Sequence, residues 1–338
     1  MLNNLYIENM NKTNYKLVSA KDCKIEKCQC KDEYVYDMEV SDNSHTFFAN
    51  DILVHNSIYV RMDNILKILF GTVDIDWNDV ETFQKLKKFV DDKFQTILNN
   101  HVKEYICNKF HTSEKRIEFK REKISSEGDY ICKKRYVVHV RDNEGVECDK
   151  FSYTGVDIAK NELPQKIKDI LQELVEKMMR NKWRGNENIQ PEISKIYEEY
   201  QKFDLNDIGF IKNLSTPKEA TGFLKLEKGA GVHARAAEIY NQLIESLGIL
   251  NKHDKINRGD RFHYIYVKTG NKYGIDCIAW KDKYPKEFKK IFEPDMDVMF
   301  EKTIVAPLKK FLEIHNASYF DPDNVVVKGK DGLDLFDL

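Results

Sequence analysis

Residues 35–57 read Val35-Tyr36-Asp37-Met38-Glu39-Val40-Ser41-Asp42-Asn43-Ser44-His45-Thr46-Phe47-Phe48-Ala49-Asn50-Asp51-Ile52-Leu53-Val54-His55-Asn56-Ser57. β-Branched and aromatic runs alternate here with Asn and Asp, a pattern of short strands broken by turns. Together with Tyr15–Val18, the segments Glu33–Val40, His45–Ala49 and Ile52–Val54 predict a small all-β module at the head of the chain. The stretch ends on a chemically specific triplet. An Asn side-chain amide can attack its own backbone carbonyl, close a succinimide and break the Asn56–Ser57 bond. The reaction is intramolecular, so holding the near-attack geometry supplies most of the help. His55 is placed to protonate the leaving amine. Roughly 1,000-fold acceleration, about 4 kcal/mol, is what one donor and one fixed rotamer must supply. A second His-Asn pair, His315-Asn316, precedes Ala317, which has no nucleophile, and no reaction is expected there.

At 338 residues the chain has room for two or three domains. Basic and acidic residues nearly balance, 54 against 56, so binding to phosphates would need a local patch. No basic-then-apolar leader opens the sequence, and no apolar run nears the ~20 residues of a membrane span; the longest candidate, Ile65–Val73, carries Lys67 and Gly71. Seven cysteines without an export signal point to reduced thiols in a cytoplasm. Cys23, Cys28 and Cys30 cluster, but Cys28-x-Cys30 is too tight for the usual zinc knuckle.

Downstream, Ser57–Arg61 reads as a further strand. From Asn78 or Asp79, as N-cap, the period changes to 3.6: Phe83, Leu86, Phe89, Val90, Phe94, Ile97, Leu98, Val102, Tyr105 and Ile106 share one face of a long helix. Strands follow at Arg116–Lys120, Arg135–Val140 and Glu147–Tyr153, with Asp142-Asn143-Glu144-Gly145 as a hairpin turn. Beyond Gly155 the sequence predicts helices over Pro164–Arg180, Pro191–Phe203, His233–Leu247 and Met296–His315, and a strand-like insert over Arg261–Trp280. The tail from Asp321 is polar and closes on Leu333-Asp334-Leu335-Phe336-Asp337-Leu338.

The string Val35-Tyr36-Asp37…His45…Val54-His55-Asn56-Ser57 resembles the C-terminal end of an intein, with one residue more than the compact form between Val40 and His45. The resemblance implies roles for Asn56 in cyclisation, His55 and His45 in proton handling, Asp37 in coupling, and Ser57 as the residue that first accepts an acyl group and then undergoes an O-to-N shift. With 56 residues before the junction and no intein-type nucleophile at Met1, the expectation is a split intein acting in trans with an N-terminal half on another chain.

Residues 57–338 resemble the C-terminal part of a family B DNA polymerase, most closely the phage type. Ser57-Ile58-Tyr59-Val60 is similar to the continuation of the palm motif YGDTDS after its Asp pair, so the resemblance places the two metal-binding Asp residues on the partner chain. Lys133-Lys134-Arg135-Tyr136 matches the KKRY motif; three cations before an aromatic suit a primer–template duplex. Gly155-Val156-Asp157 with Lys160 and Pro164 resembles the palm-to-thumb link. Gly229-Ala230-Gly231-Val232-His233-Ala234-Arg235 resembles the thumb segment on the primer backbone, a glycine-rich entry into a helix N-terminus. In Phe119-Lys120-Arg121-Glu122, where phage relatives show Asp-x-Glu, only Glu122 remains, as a carboxylate behind the metal ligands. The last residues, Leu333, Leu335, Phe336 and Leu338, resemble a sliding-clamp peptide.

The expected architecture is multidomain: an all-β, Hint-type C-terminal intein fragment over 1–56, an α+β part of a palm over 57–154, a mainly α-helical thumb over 155–320, and a flexible tail over 321–338. The implied partners are the N-terminal polymerase and intein chain, primer–template DNA, dNTP and a sliding clamp, with Mg2+ for polymerisation and no membrane. Two alternatives stand beside ligation: a DNA- and clamp-binding subunit that assembles without covalent joining, and a decayed intein that only cleaves at Asn56.

Overall fold

The computed structural model describes residues 46–49, 52–55, 60–110, 119–132, 134–215, 220–226 and 229–318. The described residues fall into two units, divided between Glu122 and Lys123.

In the first unit, β1 (Thr46–Ala49) and β2 (Ile52–His55) pair antiparallel, with Thr46 opposite His55. Alternating apolar residues around Asn50-Asp51 dictate that hairpin. Val60 and Arg61 are not in a strand. Instead Asp63–Phe70 forms a helix, α1, closed by Gly71 in the left-handed conformation. A helix begins at α2 (Val80–Phe89), where the Asp79 carboxylate accepts from the Thr82 N–H at 2.9 Å, and continues through a wide five-residue π turn, Val90–Phe94, into α3 (Gln95–Phe110). Phe83, Leu86 and Val90 are buried as the period requires, whereas Ile97 and Tyr105 are exposed. The extra residue of the π turn rotates the following face by roughly 100°. Asn99 and Gln95 then face residues 119–121 instead of an apolar layer.

Phe119 and Lys120 are not in a strand, and the rest of the strand expected at Arg116–Lys120 lies outside the described residues. Asn99 donates to and accepts from the Phe119 backbone at 2.8 and 2.7 Å, Gln95 accepts from the Arg121 N–H at 2.8 Å, and Arg121 pairs with Asp91 at 2.5 Å. Side-chain amides supply the hydrogen bonds that a neighbouring strand would have made.

The second unit opens with an antiparallel meander, β3 (Lys123–Cys132), β4 (Arg135–Asn143) and β5 (Val146–Thr154), in that spatial order. The β4–β5 turn is the expected one: Glu144 and Gly145 take φ of 51° and 93°, and the Asp142 carboxylate accepts from the Gly145 N–H. Helices α4 (Gln165–Arg180) and α5 (Asn186–Tyr200) follow. The latter starts five residues before the expected Pro191 and contains it. After the short α6 (Leu205–Ile208) and β6 (Phe210–Asn213) come a small hairpin, β7 (Ala220–Gly222) with β8 (Lys225–Leu226), and α7 (Val232–Ser246). Strands β9 (Arg261–Tyr266) and β10 (Cys277–Trp280) complete a second antiparallel sheet in the order β10-β9-β6. The last long helix is α8 (Met296–Phe300), a π turn at Glu301–Val305, and α9 (Ala306–Ile314).

One hydrophobic core spans this unit. Val137 of β4, Leu171 of α4, Leu243 of α7, Ile265 of β9, Trp280 of β10 and Leu308 of α9 are all fully buried in it. The meander and the helices therefore share a single interior. Among the described residues no helix is long and apolar enough to cross a membrane.

Candidate nucleic-acid interface

The cationic residues singled out by sequence lie in three separate segments, Lys133–Arg135, Lys160 and His233–Arg235. The fold brings Arg135, Lys160 and His233 together around two carboxylates and ties Arg235 to its own.

The first anchor is the β3–β4 turn. Lys134 adopts φ of 60° and is exposed. Gly155, at φ 59°, packs directly beneath it, and a Cβ there would run into the Lys134 carbonyl oxygen. The contact fixes the next residue: Arg135 donates from Nε to the Gly155 carbonyl at 3.1 Å and from Nη2 to the Asp157 carboxylate. Asp157 opens a single 3₁₀ turn whose Ile158 is fully buried, and its other oxygen takes Lys160 Nζ at 2.6 Å. Burial opposes ionisation of Asp157, but Lys160 and Arg135 overcome it and hold the carboxyl below its ordinary value. One carboxylate thus positions a cation from each of two predicted motifs.

The second anchor is Glu162. Its carbonyl accepts from the Ile211 N–H at 2.8 Å, stitching the loop to β6, and its carboxylate pairs with Lys212. Asp157, Lys160, Glu162, Leu163, Phe210, Lys302, Ala306 and Pro307 line an open recess of about 280 Å³. Lys302 sits in the π turn before α9, with Nζ 5.3 Å from the centre of the Tyr266 ring.

The third contribution is the N-terminus of α7. Gly231 is its cap residue, so the first-turn N–H groups at Val232, His233 and Ala234 have no acceptor within the helix. His233 is half-buried. Burial, and then the nearby Lys212, lower its pKa, while Glu162 opposes them. Arg235, one residue outside that turn, donates from Nη2 to both oxygens of Asp276, at 2.7 and 2.9 Å. Lys160, Lys212, His233, Arg135 and Arg235 therefore form a set in which each fixed cation is held out by a carboxylate. A surface of this kind can exchange carboxylate for phosphate oxygens with little loss of side-chain freedom.

Beside the first anchor, Tyr136 of β4 stands opposite Tyr130 of β3, ring centres 5.6 Å apart. Asp157 lies in the Gly155-Val156-Asp157 motif, whereas Lys212, Lys302, Glu162 and Asp276 carried no sequence signal. Each is one charged residue in an ordinary strand, helix or loop. Lys133, Asp37, His45, Asn56, Ser57, Leu333, Leu335, Phe336 and Leu338 lie outside the described residues, as do Cys23, Cys28 and Cys30. His55 ends β2.

Among the described residues no group of three or more His, Cys, Asp or Glu is placed to hold a metal ion. Glu122 is exposed, just before β3.

No protein-family model matches the chain. Over 283 residues it is 23% identical to the DNA-directed DNA polymerase of Enterobacteria phage T4, across 78% of this chain and 30% of that protein. It is 24% identical over 286 residues to the DNA polymerase of Thermococcus sp. strain GE8, and 25% over 283 residues to that of Thermococcus hydrothermalis, across 83% of this chain and 14% of each relative. The similarity is to DNA polymerases. It is weak and runs over most of the chain, which spans less than a third of the length of these relatives.

Proposed function

We propose that residues 57–338 are the DNA-holding C-terminal part of a DNA polymerase of family B. The observation that carries the reading is the convergence of Arg135, Lys160, Lys212 and His233 around Asp157 and Glu162, from segments up to 98 positions apart. In this reading Lys134, Arg135, Lys160, Lys212 and Arg235 contact phosphates of the primer–template duplex. The α7 N-terminus adds backbone donors, and Tyr136 packs at the groove edge. Nucleotidyl transfer to the incoming dNTP belongs to Mg2+ and carboxylates in the rest of the polymerase, and the Leu333–Leu338 tail engages a sliding clamp.

The test is a salt titration of the full chain on a labelled primer–template duplex. Lys160→Ala with Lys212→Ala should weaken binding and reduce the slope of log K against log salt by about 0.9 for each lost contact. Affinity and slope equal to the wild type would overturn the reading.

A second activity is proposed for the Asn56–Ser57 junction: protein trans-splicing with an N-terminal half on a second chain, Asn56 cyclising and Ser57 accepting the acyl group. The hairpin that sets His55 at the end of β2, opposite Thr46, supports it, because a β-scaffold can hold the scissile bond in a fixed geometry. Co-expression with a candidate N-terminal half, followed by mass measurement, should yield a ligated species and a released fragment. Asn56→Ala should stop the release. If polymerase activity survives Asn56→Ala with both chains intact, the two halves assemble without ligation. Release of residues 1–56 with no ligated product would mark cleavage alone.

A further inference from the structure

Phe223 is 57% exposed at the turn between β7 and β8, next to Leu224, which takes φ of 58°. A left-handed conformation is costly for a large side chain and persists only where the surroundings enforce it. Here they do: the Leu224 N–H donates to Gln242 Oε1 of α7 at 2.6 Å, and Gln242 Nε2 donates in turn to Glu238 at 2.9 Å. The Phe223 ring rests edge-on against Tyr273, ring centres 6.3 Å apart, and Tyr273 backs onto the buried Phe292 at 6.0 Å. Lys272 Nζ lies 4.6 Å from the centre of the Tyr273 ring, and Lys225 is exposed at the start of β8. A strained turn, clamped from a helix, holds an exposed aromatic ring against Tyr273, whose other neighbours include Lys272. Burial in the core cannot be its purpose.

Its position names a ligand. Gln242 follows Arg235 by seven residues, two turns along the same face of α7 and about 10 Å along its axis. That is roughly three nucleotide steps at about 3.4 Å each. We infer that Phe223 is an aromatic contact for the apolar face of a nucleotide, base or sugar, in the same DNA strand whose phosphates pass Arg235 and the α7 N-terminus. The inference rests on the DNA-holding reading above and extends that surface to its far end. The flanking Lys225 and Lys272 give the site the charge of a nucleic-acid contact.

The experiment measures binding of the full chain to a single-stranded oligonucleotide and to a primer–template duplex across a salt series. Phe223→Ala should weaken binding about fivefold or more in at least one arm, with the salt slope unchanged, because a stacked ring displaces no counterions. The arm that responds tells whether the contact is to an unpaired base or to a duplex edge. Phe223→Trp should restore affinity, with added fluorescence that DNA quenches. Leu224→Gly, which relaxes the turn and keeps the ring, should lose part of the affinity. If Lys160→Ala with Lys212→Ala weakens binding and Phe223→Ala does not, this inference alone falls. A drop in salt slope for Phe223→Ala would also overturn it, assigning the effect to phosphate contacts. If the wild-type chain binds neither DNA, both this inference and the reading beneath it fall.

Discussion

Two polar clusters in the second unit use the same pieces to opposite ends. Around His315, Nε2 lies 2.7 Å from the Asp129 carboxylate, and Nδ1 meets the Trp183 carbonyl at 2.8 Å and Arg184 at 2.6 Å. Gly185 donates to the His315 carbonyl, and Gln190 donates to that of Ser318 at 2.6 Å. The pair is sealed: the side chains are 0% and 7% exposed. Around Asp157 the pairs with Arg135 and Lys160 are open, with Arg135 and Asp157 35% and 31% exposed. A sealed pair ties β3 to the end of α9 across 186 positions and has no room for a ligand. An open one leaves its cations able to trade a carboxylate for a phosphate. The His-Asn dipeptide makes the same point. At His315 it is a helix end whose imidazole is wholly engaged in packing; at His55 it ends a hairpin strand, ahead of a hydroxyl.

The largest effect should come from breaking the sealed cluster. His315→Ala removes a fully buried ring and leaves the buried Asp129 carboxyl without its hydrogen-bond partner, and such a large-to-small change in a core costs about 3–5 kcal/mol. Denaturant unfolding of the variant should show that loss. A change below about 1 kcal/mol would mean that the cluster is no clamp.

That clamp was invisible in the sequence, and the reason is instructive. No strand is predicted over Ser125-Ser126-Glu127-Gly128-Asp129, yet the run is the middle of β3. Tyr130 bends back so that a Cβ on Gly128 would come within 2.7 Å of its ring, and Asp129 finds its partner at the far end of the chain. Local pattern cannot carry either fact. Helices α4 and α7, by contrast, were legible to within a residue, because an apolar stripe and terminal Pro or Gly signals are local properties. For α5 the signal misled: Pro191 reads as a helix start, but tertiary packing of Ile189 and Ile193 extends the helix back to Asn186. Of the candidate interface, Arg135, Asp157, Lys160, His233 and Arg235 were legible in motifs, and Glu162, Lys212 and Asp276 were not.

Between the two clusters in severity stands Gly155. Its left-handed φ and its contact with the Lys134 carbonyl leave no place for a side chain. Gly155→Ala should cost about 1–3 kcal/mol and, by displacing Asp157 from Arg135, should also weaken DNA binding. Loss of stability with unchanged DNA affinity would separate the turn from the interface.

Asp157→Asn probes the open cluster directly. Stability should move by less than about 1 kcal/mol, as for partly exposed pairs. Removing one negative charge between Arg135 and Lys160 should raise DNA affinity a few-fold at low salt, with the gain shrinking as salt screens it. Weaker binding at every salt concentration would mean that aiming the cations matters more than their net charge.

The smallest effect is also the most discriminating, because its sign differs between stability and binding. Burial and Lys212 place the His233 pKa below its ordinary 6.5. The folded state therefore favours the neutral ring. Its contribution to stability is complete above about pH 6.5 and is lost as pH falls from there through the lowered value, because the unfolded chain takes up the proton first. A phosphate beside the ring would favour the charged form, so DNA binding should take up a proton. Affinity should climb a few-fold over the same fall in pH in which the free protein loses stability. His233→Gln should flatten both curves. If the variant flattens the stability curve alone, His233 is a packed helix-start residue and DNA passes elsewhere. If it flattens both, the open cluster and the α7 N-terminus hold the same strand.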